Sequence, residues 1–178
     1  MIPTFRSDRF TIMVWAGIAY NFKTPLYIIP LAPSRVERGV RIKAETLTAQ
    51  KYADLIIDGP LRAAIAASER PGGLSVVEDS SPCHTGLVAR ERRAQHQIRS
   101  QGHPPASPDL NPIENIWAIF KNLLSRYEPM PRTCDQLIRA AEDVWNNQLP
   151  LQHVNAVIDS MCKRVALVAE RRGGPLKY

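Results

Sequence analysis

The spacing of hydrophobic residues changes several times along the chain, and each spacing points to a different element. Phe10 to Ile18 is rich in β-branched and aromatic side chains, Asn21-Phe22-Lys23 supplies a turn, and Leu26 to Ile29 resumes the apolar run. That order predicts a β-hairpin. Pro30, Pro33 and Gly39 make the following stretch a loop. Leu47, Tyr52, Leu55 and Ile56 then recur at helical spacing until Gly59-Pro60 interrupts, and a second short helix is expected from Leu61 to Ser68. Pro71-Gly72-Gly73 marks a turn, and Leu74-Ser75-Val76-Val77 reads as a short buried strand ending at Glu78-Asp79.

Thr85 to Gln97 is helical and mostly polar, after which Gly102, Pro104, Pro105 and Pro108 enforce an extended segment. A strand is expected from about Ile98, beside the one that carries Asp79, although Gln101-Gly102-His103 weakens it. The next helix has a readable start. Asn111 suits the N-cap, Pro112 the first helical position, and Glu114 the place from which a capping-box carboxylate reaches back. Ile113, Ile116, Trp117, Phe120 and Leu124 form its apolar stripe. Thr133 with Gln136 opens a helix to about Asn147, and Leu151, Val154, Val157, Ile158, Met161, Val165 and Val168 mark another, closed by Gly173-Gly174. Trp15, Trp117 and Trp145 all fall on such stripes or strands, which makes them core residues.

At 178 residues, 44% hydrophobic and 22% charged, the chain has the make-up of one globular domain and not of a collagen-like, coiled-coil or disordered chain. Its 23 basic and 17 acidic residues leave a formal charge of +6, which favours a polyanionic partner, nucleic acid first. The positive excess lies in residues 1–45, 84–104 and 161–178, and the stretches between are net acidic. Cys83, Cys134 and Cys162 form no paired motif, consistent with a reducing compartment. Thr11 to Tyr20 is too short to span a bilayer and Trp15 and Gly17 interrupt it as a signal-peptide core, so no membrane association is expected.

Asp79 stands at the C-terminal end of a predicted strand, where α/β sheets gather binding and catalytic groups. Thirty-four residues separate it from Glu114. Two carboxylates in one cleft can hold hard divalent cations, and a pair of such cations activates attacking and leaving oxygens in phosphodiester chemistry. Glu114 also has a complete structural explanation as a capping residue. Arg90, Arg92, Arg93 and Arg99, with Lys163, Arg164, Arg171 and Arg172, are candidates for contact with DNA phosphates, the alternative being that they solubilise two helices. His84 could touch a phosphate or hold the loop beside Asp79, while Asp109 and Asn111 organise the turn before the helix.

The block Ser107-Pro108-Asp109-Leu110-Asn111-Pro112-Ile113-Glu114-Asn115-Ile116-Trp117 resembles the signature of DDE/D-type transposases of the mariner superfamily, and Glu78-Asp79-Ser80-Ser81-Pro82-Cys83-His84 is similar to their second acidic block. Met13 to Ile18 and Arg172 to Tyr178 resemble two further family segments, in the same order. The resemblance implies an α/β RNase H-like mixed sheet flanked by helices, with a C-terminal helical extension over about 133–172. It further implies Mg²⁺ or Mn²⁺ as cofactor, Asp79 and Glu114 as two of three metal-binding carboxylates, and DNA cleavage and strand transfer in transposition. It places the protein in the nucleus, or in the cytoplasm of a prokaryotic host.

The family's first catalytic aspartate lies on a strand tens of residues upstream of the segment that Met13 begins, and Asp8 stands at the wrong place to replace it. The expectation is therefore a truncated, inactive catalytic domain lacking its first central strand and left with two open edges, which a partner would cover. That partner could be full-length transposase or a second copy. The competing expectations are a non-catalytic relic that binds DNA or transposase, and an incomplete sequence whose full product carries the missing strand.

Overall fold

Strand β2 (Thr11–Trp15) sends alternate side chains to opposite sides, and among the described residues a hydrophobic core forms on each of those sides. Ile12 and Val14 join the core built with the C-terminal helices, whereas Trp15 joins the core under the N-terminal helices. The computed structural model describes residues 4–6, 10–68, 75–104 and 107–171. The turn at Pro71-Gly72-Gly73, Leu74, Asp8, Arg172 and the Gly173-Gly174 stop lie outside the described residues.

β2 pairs antiparallel with β5 (Tyr27–Ile29), with Val14 opposite Ile28, as the hairpin pattern predicted. Between them a smaller ladder, β3 (Ile18–Ala19) with β4 (Phe22–Lys23), turns at Asn21, which takes a left-handed φ of 58°. On its other edge β2 is met by β1 (Thr4–Arg6), Thr4 opposite Met13, so part of the edge expected to be bare is covered. β8 (Ser75–Val77) pairs parallel with β9 (Arg99–Gln101), and among the described residues no ladder joins this pair to the three-stranded sheet. The predicted loop after Pro30 contains a further hairpin, β6 (Arg35–Glu37) with β7 (Val40–Ile42).

Helix α1 (Ala49–Tyr52) is capped by Thr48, whose hydroxyl accepts from Lys51 N–H at 3.3 Å. It widens into a π-helical stretch, Ala53–Leu61, and resumes as α2 (Arg62–Ala66). Gly59 is non-helical there, so the break predicted at Gly59-Pro60 is present as a kink. The predicted helix from Thr85 is two helices, α3 (Pro82–Thr85) and α4 (Leu87–Gln95), which meet at Gly86. Next come α5 (Pro112–Ser125), then α6 (Cys134–Asp143) with its π-helical continuation Val144–Gln148, and finally α7 (Leu151–Glu170).

Trp117, Phe120 and Trp145 form the aromatic centre of the C-terminal core, with the two indoles 5.3 Å apart and Phe120 edge-on to Trp145 at 5.8 Å. Trp145 Nε1–H donates to the Thr24 carbonyl at 2.8 Å, which ties α6's continuation to the turn ahead of β5. The second core gathers Tyr52, Ile56, Ile57 and Leu61 against Ala89 and Ile98. Among the described residues no helix is long and apolar enough to cross a membrane.

Candidate active site

Asp79 stands two residues past the end of β8, where the turn that follows the strand aims its side chain. Its Oδ1 accepts the Ser81 backbone N–H at 3.1 Å, and α3 brings His84 Nδ1 to the same oxygen at 2.7 Å. The His84 hydrogen bond holds the Asp79 carboxyl well below the usual carboxylate range, against the opposing effect of burial. Burial opposes a charge on His84, but the bond to Asp79 outweighs it and the imidazole is lifted to about 9. At neutral pH this is an imidazolium–carboxylate pair.

A second, buried layer holds that pair in place. Arg93 Nη1–H donates to Glu78 Oε2 at 2.8 Å and its Nη2–H to the His84 carbonyl at 2.6 Å. The Tyr52 hydroxyl donates to the other Glu78 oxygen, and the Tyr52 ring lies 4.5 Å from the His84 ring. Burial first, then the Glu78 charge, pushes the Tyr52 hydroxyl pKa well up, so it remains a donor. His84 Nε2 is buried and has no hydrogen-bond partner among the described residues.

Asp79, His84 and Tyr52 line a cavity of about 480 Å³ whose wall also includes Trp117 and the residues Asn111 to Ile113 at the start of α5. Glu114 is the next residue of that first turn and is half-buried. The helix start differs from the capping box expected. Asn111 is buried, makes no side-chain cap, and accepts the Glu114 N–H at its carbonyl at 3.1 Å, while Pro112 sits in the first turn. Asp109 is likewise buried, and Arg164 reaches from α7 to its carbonyl at 3.2 Å and to Asn115 Oδ1 at 2.7 Å. The turn that precedes Glu114 is thus pinned from the C-terminal helix.

The structure divides the cationic set read from the sequence. Arg90, Arg99, Lys163 and Arg171 are exposed. Arg93 is a correction: it is buried against Glu78, because a guanidinium can cross a helix interface when a carboxylate meets it there. Arg92 pairs with Asp54 at 3.2 Å and with Asp58, joining α4 to the first helix, and His96 Nε2 meets Asp58 at 2.6 Å. Arg164 is half-buried in its contacts with the turn. Arg172 is outside the described residues.

Tyr52, Glu78 and Asp58 make supporting contacts that sequence spacing did not reveal. The available signal for Glu78 was its place beside Asp79, just past the end of a strand.

A pair of divalent cations needs carboxylate oxygens from several directions. Among the described residues no three His, Cys, Asp or Glu side chains gather as a metal-binding group, and Asp79 Oδ1 is engaged by His84 and Ser81.

Residues 36–138 match the DDE superfamily endonuclease family. The chain is 31% identical over 103 residues to the Tcb2 transposase of Caenorhabditis briggsae, a match covering 57% of this chain and 36% of that protein. With the Tc1 transposase of Caenorhabditis elegans the identity is 29% over 106 residues, covering 60% and 38%. The chain thus spans little more than a third of the length of the curated relatives it matches. Its fold is similar to that of the Mos1 transposase catalytic domain solved with raltegravir and Mn, with a TM-score of 0.77 at 16% identity over 99% of this chain and 82% of the other. With a family match over more than half its residues and an RNase H-like fold, the chain belongs to the DDE superfamily endonucleases.

Proposed function

We propose that the chain is a transposase-type catalytic domain that binds DNA in transposition and does not cut it unaided. The observation that carries this reading is Asp79, held at the end of β8 by Ser81 and His84, on a cavity whose wall includes the first turn of α5 just before Glu114. That placement supports Asp79 and Glu114 as two carboxylates of a set for Mg²⁺ or Mn²⁺. When bound, such cations supply the charge that phosphodiester cleavage needs. A third acid is required to complete the set, and none joins these two as a ligand group among the described residues.

DNA is the partner class, supported by the net charge of +6 and by the exposed Arg90, Arg99, Lys163 and Arg171. Full-length transposase or a second copy is the protein partner, and the compartment is wherever that DNA resides, the nucleus or a prokaryotic cytoplasm.

The test is retention on duplex DNA with a chelator present, at low and at moderate salt, followed by addition of Mg²⁺ or Mn²⁺. Retention at low salt, loss at moderate salt and no nicking are expected. Absence of retention at low salt overturns the DNA reading. Metal-dependent nicking that Asp79→Asn abolishes overturns the claim that the chain cannot cut unaided.

A further inference from the structure

The hairpin of β6 and β7 serves neither core. Every residue from Ala32 to Arg41 is exposed, with Val36 and Val40 71% and 66% exposed, so burial of apolar surface does not explain why this segment is a ladder. Its base is fastened. Glu45 N–H donates to the Ala32 carbonyl at 2.9 Å, the Glu45 carboxylate accepts the Ala32 N–H at 3.1 Å, and the same carboxylate pairs with Lys51 on α1. Beyond that fastening, residues 33–44 stand out from the body as an arm.

The turn at its tip is built from two left-handed residues, Arg38 with φ 51° and Gly39 with φ 78°. Two positive φ values suit a two-residue hairpin turn whose twist matches the strands. Glycine adopts this backbone freely, whereas arginine does so at a cost, and such costs persist most often where the side chain is used. Across the ladder Arg35 faces Ile42 and Val36 faces Arg41. The arm carries Arg35, Arg38, Arg41 and Lys43 against one acid, Glu37. Glu37 meets Arg35 at 3.4 Å with both side chains more than half exposed, a pair that solvent weakens greatly. Arg38, Arg41 and Lys43 have no ion partner among the described residues.

We infer that this hairpin is a DNA-contacting arm: a two-stranded ribbon whose Arg38, Arg41 and Lys43 neutralise backbone phosphates beside a groove. The inference rests on the DNA-binding reading above and adds a site to it, on a different part of the chain from Arg90 and Lys163. Charge selects the partner, since a basic, water-exposed ribbon without a continuous apolar face has little with which to hold a protein. Its shape agrees, because the major groove of B-DNA admits a two-stranded ribbon.

The test compares three proteins on a short mixed-sequence duplex with chelator, as salt is raised from about 50 to about 200 mM: the intact chain, Arg38→Ala/Arg41→Ala/Lys43→Ala, and a control of equal charge change, Arg126→Ala/Arg132→Ala/Arg139→Ala. The arm variant is expected to bind more weakly and to lose about 2.7 from the slope of log affinity against log salt, with circular dichroism unchanged and the control keeping most of its slope. Equal slopes for the intact chain and the arm variant overturn the arm while leaving the DNA-binding reading in place. Equal losses in arm variant and control overturn it too, since net charge alone then accounts for the effect. An arm variant that keeps its DNA affinity but changes its sedimentation assigns the hairpin to a second copy instead. An intact chain that fails to bind at low salt removes both readings together.

Discussion

Arg93 and Glu78 meet at 2.8 Å with both side chains almost wholly buried, and this ion pair stands directly behind the Asp79–His84 pair. Glu78 and Asp79 are neighbours at the end of one strand and face different partners, the first anchoring the helices and the second facing the cavity. A paired buried charge is tolerable because each ion supplies what the other lost from water, and Arg93 also satisfies the His84 carbonyl.

Removing one partner is therefore worse than removing both. Arg93→Met should destabilise the chain by about 3–5 kcal/mol, since among the described residues it leaves the buried Glu78 carboxylate only the Tyr52 hydroxyl as a side-chain donor. Arg93→Met/Glu78→Gln should recover a large part of that loss. Urea denaturation of the two variants checks the order, and equal losses would show that the pair does not act as a unit.

The Asp79–His84 pair sets a pH dependence with a definite sign. His84 titrates near 9 in the fold and near 6.5 when unfolded, so its contribution is complete below about pH 6.5 and is lost as pH rises through about 9. Asp79 is depressed below its unfolded value near 3.9, so its contribution is complete above that value and is lost as pH falls further. Thermal melts with chelator present should show a plateau between about pH 4 and 6.5 and a decline toward pH 9. His84→Asn keeps a neutral donor toward Asp79 and should flatten the alkaline decline. A variant that declines as steeply as the intact chain would place the titration elsewhere.

Gly86 separates α3 from α4 at a point where a side chain has no room. A Cβ there would lie 2.5 Å from Ala49 Cβ and 3.1 Å from the Pro82 carbonyl oxygen. Ala49 cannot swing aside as a long side chain could, so Gly86→Ala should push α1 away from α3, which carries His84, at about 1–3 kcal/mol. The melting midpoint should fall, and Gly86→Ala/Ala49→Gly should restore most of it.

The legible parts of this protein are those where one physical rule acts alone. The β-branched and aromatic run that forms Thr11–Trp15, the Asn111-Pro112 helix start and the stripe from Ile116 to Leu124 each follow from local geometry and burial, and each stands where the sequence placed it. Arg90 and Arg93 show where such rules stop. Both lie on one polar helix, yet Arg90 meets solvent and Arg93 meets Glu78, a difference decided by β8 and not by anything within the helix. The β6–β7 hairpin was illegible for a related reason: its tip carries Arg where the usual turn signal is Asn-Gly, and its strands bury too little to alternate. At the candidate site Asp79 and His84 come together as neighbours along the chain, but the supporting Tyr52 arrives from a helix 26 residues before Glu78.

Lys23 offers a last test, of how the sheet is joined to the C-terminal helices. Its ammonium donates to the carbonyls of Trp145 and Leu149 at the π-helical end of the helix that α6 begins, and it lies 5.6 Å from the Trp145 ring centre. Carbonyls at a helix C-terminus lack intrahelical partners and carry the negative end of the dipole, which suits a cation. Burial lowers the Lys23 pKa, so the contact is made by a group already partly stripped of water. Lys23→Met keeps the aliphatic stem and removes the donors, which isolates their share as about 1–3 kcal/mol of stability. If α6 and α7 depend on this cap, amide exchange should accelerate first around Val144 to Leu149 and leave Ile56 and Ile57 in the other core unaffected. Uniform acceleration across both cores would instead mean that the two halves unfold as one unit and that Lys23 stabilises the whole.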